Sequence, residues 1–207
     1  MKTKQEVKLL YISPLSLISN AIRYSHYTFD KSDTKDLNFI GKKDLELIKK
    51  IGFKLKHESV LEHSIIVFHL KLSQKALLEA TRHRIGISWT VTSSRYALRK
   101  INIENEFTGD NDIDNFITEF IKKIKNLLEN KKPMDIVSKL LPQSFLYTAQ
   151  VTFNLRSLIN FLKLRLNKNA HRDIRIIAYK MFEELPNDYK QLILVDETIN
   201  KNLNNIL

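Results

Sequence analysis

Residues 79–96 carry side chains suited to binding an anion. The triplet Arg82-His83-Arg84 is followed, after eight residues, by the run Ser93-Ser94-Arg95-Tyr96. Guanidinium groups bind phosphate or carboxylate through paired hydrogen bonds, and serine hydroxyls and backbone N–H groups can bind the remaining oxygens. If the preceding segment is a helix, Glu79 lies about one turn before Arg82, where it can pair with the arginine. The spacing therefore predicts a site for an anionic ligand.

A second polar set borders an apolar stripe in residues 154–166. The stripe follows helical spacing and consists of Leu155, Leu158, Ile159, Leu162 and Leu166. Arg156 and Asn160 flank it on one side, and Asn154 and Arg165 flank it on the other. An ordinary buried helix with polar edges fits this pattern, but polar groups beside a core-facing stripe need partners. Two flanks cannot easily face one pocket of the same chain, so the pattern favours a site shared between subunits.

The histidines predict no metal site. His57 and His63 are six residues apart, two more than the His-Glu-x-x-His zinc pattern requires. The chain has no cysteine, which excludes disulfides, thiolate metal sites and a thiol nucleophile. His57 and Ser59 fall where a predicted helix gives way to a strand, and there they can line the mouth of a pocket.

The composition is that of a basic globular chain. Of its 207 residues 43% are hydrophobic, and the formal net charge is +11. This charge predicts an anionic partner such as nucleic acid, a membrane surface or a phosphorylated small molecule, although solvated surface lysines explain it equally well. The sequence has no apolar run of roughly 18 residues and no signal-peptide pattern, so we expect a cytoplasmic protein outside the membrane. The length suits a single domain, residues 1–207.

The fold class is predicted as α/β of the α+β type, with a small, mainly antiparallel sheet flanked by helices and a helix-rich C-terminal half. Two strands are predicted at 7–12 and 64–72, the second from its alternation of apolar and other residues. Ser73 is expected to cap a helix that runs from Gln74 to about Arg84. We also expect a strand at 96–103 and a long helical stretch at 144–167. Further helices are predicted at 15–27, 42–56, 115–130, 170–184 and 188–199.

Together these segments resemble the flavin-dependent thymidylate synthase family. The family signature is Arg-His-Arg, then seven or eight residues, then Ser, which matches Arg82-His83-Arg84 and Ser93. The pattern His57-x-Ser59-x-x-Glu62-His63 is also similar to the family. So is the run Asn154-x-Arg156-Ser157-Leu158-x-Asn160-Phe161-Leu162-x-Leu164-Arg165. The matching segments span residues 57–165 in the family's order.

The resemblance implies two sets of ligand-binding residues. FAD would be bound by His57, Ser59, Arg82, His83, Arg84, Asn154, Arg156 and Asn160. The nucleotide dUMP would be bound by Glu79, Arg82, Ser93, Ser94, Arg95 and Arg165. Arg165 would be catalytic, because it would stabilise negative charge as N3 of the uracil ionises. The family assembles as a homotetramer in which each active site is built from several subunits.

Three positions depart from the family pattern. Residues 90–92 read Thr-Val-Thr where many members have Asn-Glu shortly before the motif serine, and Glu79 stands where many have Gln. Ser138 stands where many members have a phosphate-binding Arg, and the adjacent Lys139 can take its place as a substrate ligand. These departures concern nucleotide binding more than the class of reaction.

The resemblance implies that dUMP is methylated reductively to dTMP, with NADPH reducing FAD and 5,10-methylenetetrahydrofolate providing the one-carbon unit. Since this chain has no thiol to attack the uracil ring, the cofactor must supply the chemistry and the protein must supply position and electrostatics. Two alternatives stay open. A homologue that keeps the fold and FAD but has reduced activity would carry the same motifs. A basic nucleic-acid-binding module would fit the charge, but we do not expect one, because no motif for such binding is recognisable.

Overall fold

The structure is a computed structural model that describes residues 2–204. Within this range one antiparallel sheet of four strands lies at the centre, formed by β1 (Glu6–Ile12), β2 (Ile65–Ser73), β3 (Ile87–Val91) and β4 (Leu146–Asn154). The strands lie side by side in the order β1-β2-β4-β3. β2 and β4 pair along their whole length, from Ile65 opposite Asn154 to Ser73 opposite Leu146. β1 and β3 are therefore the edges of the sheet.

Helices make up most of the remainder. The helices before β4 are α1 (Ser16–His26), α2 (Lys42–Ile48), α3 (Gln74–Ala80), α4 (Ser94–Ala97), α5 (Asn111–Glu129) and α6 (Met134–Val137). Four helices follow β4: α7 (Leu155–Arg165), α8 (Arg172–Glu183), α9 (Asn187–Ile193) and α10 (Glu197–Asn204). A π-helical turn at Lys49–Lys54 continues α2, and 3₁₀ turns occupy Phe29–Lys31, Glu58–His63 and Ser138–Leu140. No helix in the described range is both long and apolar enough to cross a bilayer.

One face of the sheet is packed into the main core. The alternate residues Ile66, Phe68, Leu70 and Leu72 of β2 are fully buried there, as the alternation in the sequence predicts. Ala149, Val151 and Phe153 of β4 lie on the same side, and buried residues of α1, α7, α8 and α9 pack over them. A smaller cluster joins α5 and α6 to Phe145, and Tyr147 packs against both clusters.

Much of the predicted fold is confirmed. The fold class is α+β with a small antiparallel sheet, and both strands predicted in the first half are present to within one residue at each end. Ser73 caps α3, because its hydroxyl accepts a hydrogen bond from the N–H of Ala76 at 3.1 Å. However, α3 ends at Ala80, so residues 82–84 lie beyond the helix.

Two predicted elements are wrong, and the helix expected at 188–199 is divided into α9 and α10 by residues 194–196. The strand expected at 96–103 is absent, because Ser94–Ala97 is a short helix and the edge strand is Ile87–Val91. The helix expected at 144–167 is a strand followed by a helix, with Asn154 at the junction. In β4 the buried residues Ala149, Val151 and Phe153 alternate with more exposed polar ones, and pairing with β2 and β3 on both sides stabilises the extended form. Helix α5 is as expected but begins four residues early, at Asn111, and Asp110 is its N-cap.

A buried ion pair fixes the loop between α1 and α2. The guanidinium of Arg23 donates to Asp44 from Nε at 2.8 Å, and its two Nη groups also bind the carbonyls of Thr28 and Lys31. The Asp44 side chain is fully buried and also accepts hydrogen bonds from Ser32 and Thr34, each at 2.6 Å. Burial alone would raise the pKa of Asp44, but these donors lower it below its ordinary value.

Candidate active site

Helix α7 carries three of the predicted site residues, Arg156, Asn160 and Arg165, and a fourth, Asn154, precedes it; the start of the helix is fixed by local hydrogen bonds. Asn154 is the N-cap, and its side-chain oxygen accepts from the N–H of Ser157 at 2.8 Å. The backbone N–H of Asn154 also donates to the carbonyl of Gly86 at 3.0 Å, and the Ser157 hydroxyl donates to the carbonyl of Ile85 at 2.8 Å. These bonds hold the segment after the triplet against the first turn of α7.

Gly86 is required for this close approach. Its φ is +67°, in the left-handed region that favours glycine. A Cβ at this position would lie 2.4 Å from both Asn154 Nδ2 and Ser157 Oγ. A larger residue would therefore separate the triplet segment from α7.

A cleft of about 550 Å³ lies between the triplet and α7, and we call it the triplet cleft. Its walls are Arg82, His83, Arg84, Ile85, Ile87, Ser157, Asn160, Leu164 and Arg165. Five of the predicted ligand residues meet here, although they come from segments about 80 residues apart in the sequence: Arg82, His83, Arg84, Asn160 and Arg165. Asn160 and Arg165, which flank the apolar stripe on opposite sides, thus line one cleft of a single chain, contrary to the expectation that the two flanks cannot easily do so.

Arg165 is held in a recess of this cleft, with only 15% of its side chain exposed. Its Nε donates to His83 Nε2 at 2.9 Å, and Nη1 donates to Glu79 Oε2 at 3.0 Å. Nη2 donates to the backbone carbonyl of Glu79 at 2.8 Å. Glu79 also pairs with Arg82 at 3.5 Å, as the helical spacing predicted.

His83 is a neutral partner in this arrangement. Burial first, and then the positive charge of Arg165, lower the pKa of His83 below its ordinary value of 6.5. The neutral imidazole can accept the N–H of Arg165, whereas the protonated ring cannot. The ring also packs edge-on against Phe161, with 5.0 Å between the ring centroids.

A second cleft, of about 490 Å³, lies on the other side of α7, and we call it the Arg156 cleft. Asn160, Ser157 and Ile85 line both clefts, so the two adjoin along one ridge. Arg156 is half exposed and pairs with Glu62 at 2.7 Å and with Glu58 at 3.3 Å. The hydrogen bond to Glu62 raises the pKa of Arg156 above its ordinary value.

The other predicted ligands lie outside the triplet cleft. Strand β3 spans about 13 Å and separates residues 82–84 from Ser93, Ser94 and Arg95, which sit at the start of α4. Lys139 is exposed in the 3₁₀ turn at 138–140. His57 and Ser59 are exposed around the start of the 3₁₀ turn at 58–63. The triplet and the Ser-Ser-Arg run therefore do not form one anion site within this chain.

The sequence analysis assigned no role to several residues of the site. Phe161 of α7 packs against His83, and no sequence signal distinguishes it from its core neighbours. Glu58 and Glu62 are brought to Arg156 only by folding, 94 or more residues along the chain. The close contact of Gly86 with α7 could have been predicted, since an isolated Gly before alternating residues indicates a turn or a close approach of the backbone.

The chain is similar to proteins of one known family. The model of the family described as "Thymidylate synthase complementing protein" matches residues 8–188. A flavin-dependent thymidylate synthase of Campylobacter jejuni is 34% identical over 200 residues, covering 89% of this chain and 94% of the relative. One of Wolinella succinogenes is 35% identical over 206 residues, covering 92% of this chain and 98% of the relative.

A solved structure has the same fold. The crystal structure of Thymidylate Synthase X from Helicobacter pylori, with FAD and dUMP, is similar at a TM-score of 0.84 and 29% sequence identity. The similarity covers 94% of this chain and 99% of that chain. From the family match and the relatives that share a third of its sequence over nearly its whole length, the chain is a member of the flavin-dependent thymidylate synthase family.

Proposed function

We propose that this protein converts dUMP to dTMP by reductive methylation, with FAD as cofactor, 5,10-methylenetetrahydrofolate as one-carbon donor and NADPH as reductant. It is a methyltransferase reaction without a cysteine nucleophile. One observation carries the proposal: a fixed, recessed guanidinium, that of Arg165, lies beside Arg82-His83-Arg84 in a chain with no thiol. Family membership and the FAD and dUMP of the Helicobacter pylori structure support the choice of cofactor and substrate.

Arg165 is the residue proposed to act on the substrate. Methylation at C5 requires an electron-rich uracil ring, and ionisation of N3 provides one. A guanidinium fixed before the reaction stabilises the negative charge that develops, and its low exposure strengthens the interaction. Its hydrogen bonds to Glu79 and His83 leave other N–H groups free for a nucleotide.

The two clefts fit a flavin dinucleotide. Arg82 and Arg84 are exposed at the triplet cleft, and Arg156 is half exposed at the Arg156 cleft, so three guanidinium groups can bind a pyrophosphate. Asn160 lines both clefts and His83 lines the triplet cleft, while Asn154 caps α7 next to Gly86. Bound FAD would supply the electrons for reduction. The protein's part is to hold its phosphates and to orient the nucleotide.

We further propose that the protein assembles as a homotetramer with shared active sites. Ser93, Ser94, Arg95 and Lys139 lie outside the cleft that holds Arg165, so a nucleotide bound by both groups needs another subunit. Apolar side chains around the triplet are exposed in the single chain, with Ile85 at 89% and Leu164 at 54%. Burial of such side chains against another copy would be favourable.

We also propose a single-domain, cytoplasmic protein. Residues 1–207 form one catalytic domain, and Tyr147, which packs against both apolar clusters, supports this. A chain without cysteine does not depend on an oxidising compartment, which is consistent with a cytoplasmic protein.

An absorbance spectrum of the purified protein, recorded with and without dUMP, tests the proposal. We expect a yellow protein with flavin bands that shift when dUMP binds near the ring. Protein whose tetrameric state has been verified, but which shows no flavin bands even after FAD is added, would contradict the proposal. Flavin bands without dTMP formation would instead identify a homologue that keeps FAD but has lost activity. Salt-dependent oligonucleotide binding without flavin would favour the nucleic-acid-binding alternative.

A further inference from the structure

Only some of the N–H donors of the Arg165 guanidinium are hydrogen-bonded within the chain. A guanidinium has five N–H donors in a rigid plane. Three of the five bind groups of the same chain: His83 Nε2 at 2.9 Å, Glu79 Oε2 at 3.0 Å and the Glu79 carbonyl at 2.8 Å. The plane of the group is therefore fixed from two sides, and two N–H groups remain for another acceptor.

We propose that Glu79 and His83 form a clamp that orients the guanidinium of Arg165 towards the nucleotide. In this assignment both are positioning residues that act through Arg165. It differs from the family resemblance, which implies that Glu79 contacts dUMP and His83 contacts FAD. The inference rests on the proposed function and deepens it, because it names the residues that orient Arg165 at the uracil ring.

Each half of the clamp is itself held in place. Glu79 lies on α3, whose first turn is capped by Ser73, and its side chain is only 15% exposed. Arg82 and Lys75 flank its carboxylate at 3.5 and 4.0 Å, which restricts its rotation further. His83 packs against the fully buried Phe161. The clamp thus joins the end of α3 and the triplet to the last turn of α7.

Glu79 contributes through both its side chain and its backbone. The carbonyl of Glu79 lies at the end of α3, where helix carbonyls have no partner within the helix. Arg165 satisfies this carbonyl with Nη2 and the carboxylate with Nη1, so one residue fixes both ends of the guanidinium fork. Glutamine at position 79 would keep an acceptor for Nη1, whereas alanine would not.

A structural readout tests the clamp independently of turnover. In ¹⁵N-labelled, FAD-loaded protein we expect the Nε–H resonance of Arg165 to exchange slowly with water, since it is bound to His83. The resonance is assigned by its disappearance in Arg165→Lys. It should persist in Glu79→Gln and in the control Glu119→Gln, which breaks an exposed ion pair with Lys122 on α5. It should broaden or vanish in Glu79→Ala, and a resonance unchanged in that variant would overturn the clamp.

Kinetics separate positioning from direct binding. A misplaced guanidinium should lower kcat for dTMP formation in Glu79→Ala by on the order of 10²-fold, with FAD content unchanged. Glu79→Gln should stay within about tenfold of wild type, because it keeps the acceptor. In an Arg165→Lys background, Glu79→Ala should cost little more, since the group it positions is gone. An equal loss in both backgrounds, or a raised KM for dUMP with kcat unchanged, would overturn the clamp.

The two proposals fail in different ways. Wild-type protein that forms no dTMP but shows the protected Arg165 resonance would overturn the proposed function alone. Wild-type protein that forms dTMP but shows no dependence of the resonance or of kcat on Glu79 would overturn the clamp alone.

Discussion

Arg156 and Arg165 lie on the same helix, and both pair with glutamate, yet their surroundings differ. They are nine residues apart, which places them about 180° apart around α7 and about 14 Å apart along it. Arg156 is 49% exposed and its two glutamates are comparably open, whereas Arg165 and Glu79 are each 15% exposed. One arginine can change partners at little cost, while the other is fixed before any ligand arrives.

This difference fits two kinds of task. Exposed ion pairs contribute little to stability, so Arg156 can release Glu58 and Glu62 to bind a phosphate. A recessed and hydrogen-bonded guanidinium is suited to stabilising charge in a transition state, because it needs no reorganisation during the reaction. We therefore expect substitutions at the two positions to have different consequences.

The ion pair between Arg23 and Asp44 is more deeply buried than the pairs made by Arg156 and Arg165. Asp44→Ala leaves the guanidinium of Arg23 buried without its carboxylate, so we expect the free energy of unfolding to fall by about 3–5 kcal/mol. Urea denaturation measures this loss. The control Glu46→Gln, which removes an exposed pair with Lys49, should leave the curve unchanged. Equal effects of the two variants would show that burial does not determine how much these ion pairs contribute to the free energy of unfolding.

Arg165→Ala should give the largest loss of activity. We expect the variant to fold and bind FAD, and to form dTMP on the order of 10²–10³ times more slowly, because the fixed charge at the uracil is lost. Single-turnover measurements with FAD-loaded protein test this. Turnover near that of wild type would exclude Arg165 from catalysis.

Arg156→Ala should weaken cofactor binding more than it affects folding. Loss of a charged hydrogen-bond donor to a phosphate costs about 1.5–3 kcal/mol, which corresponds to a weakening of FAD binding by roughly ten- to a hundredfold. The unfolding free energy should change by less than about 1 kcal/mol, because the pairs it loses are exposed. FAD titration and urea denaturation of the same preparation measure both quantities. A destabilised variant with normal FAD affinity would contradict the assignment.

The smallest expected effect is the pH dependence that comes from His83. The pKa of His83 is lower in the folded protein than its ordinary 6.5, so the unfolded state binds the proton more tightly. The contribution of His83 to stability is fully present above about pH 6.5 and is lost as the pH falls through the folded-state pKa.

His83→Gln, which can still accept from Arg165 but does not titrate, should reduce the acid-side slope of the unfolding free energy. Urea denaturation of both proteins at several pH values measures the two slopes. Identical slopes would show that protonation of His83 is not coupled to folding.

Local patterns in the sequence predicted part of the fold. The alternation in β2, the cap at Ser73 and the order of the motifs from 57 to 165 were all readable from the sequence. β4 was not recognised, because the strand leads into α7 without a break and the two together resemble one long helix. Its signals were present: Ala149, Val151 and Phe153 alternate, and the N-cap Asn154 marks the helix start.

The site was predictable in part for a similar reason. The spacing between residues 82 and 96 suggested a single anion site, but β3 is extended and separates its two halves. In the proposed tetramer, the residues that another subunit would contribute are set by how the subunits pack, and no local pattern in one chain encodes them. The contact of Arg165 with His83 and Glu79 also depends on how α7 packs against the end of α3, which lies 82 or more residues away in the sequence.

Tritium release from dUMP labelled at C5 tests the proposed reaction most directly. The assay uses FAD-loaded protein with 5,10-methylenetetrahydrofolate and NADPH. We predict that tritium release and dTMP formation occur in equal amounts, require both co-substrates and are almost abolished in Arg165→Ala. FAD-loaded tetramer that binds dUMP but yields neither tritium nor dTMP with all substrates present would contradict the proposal that this chain is a thymidylate synthase.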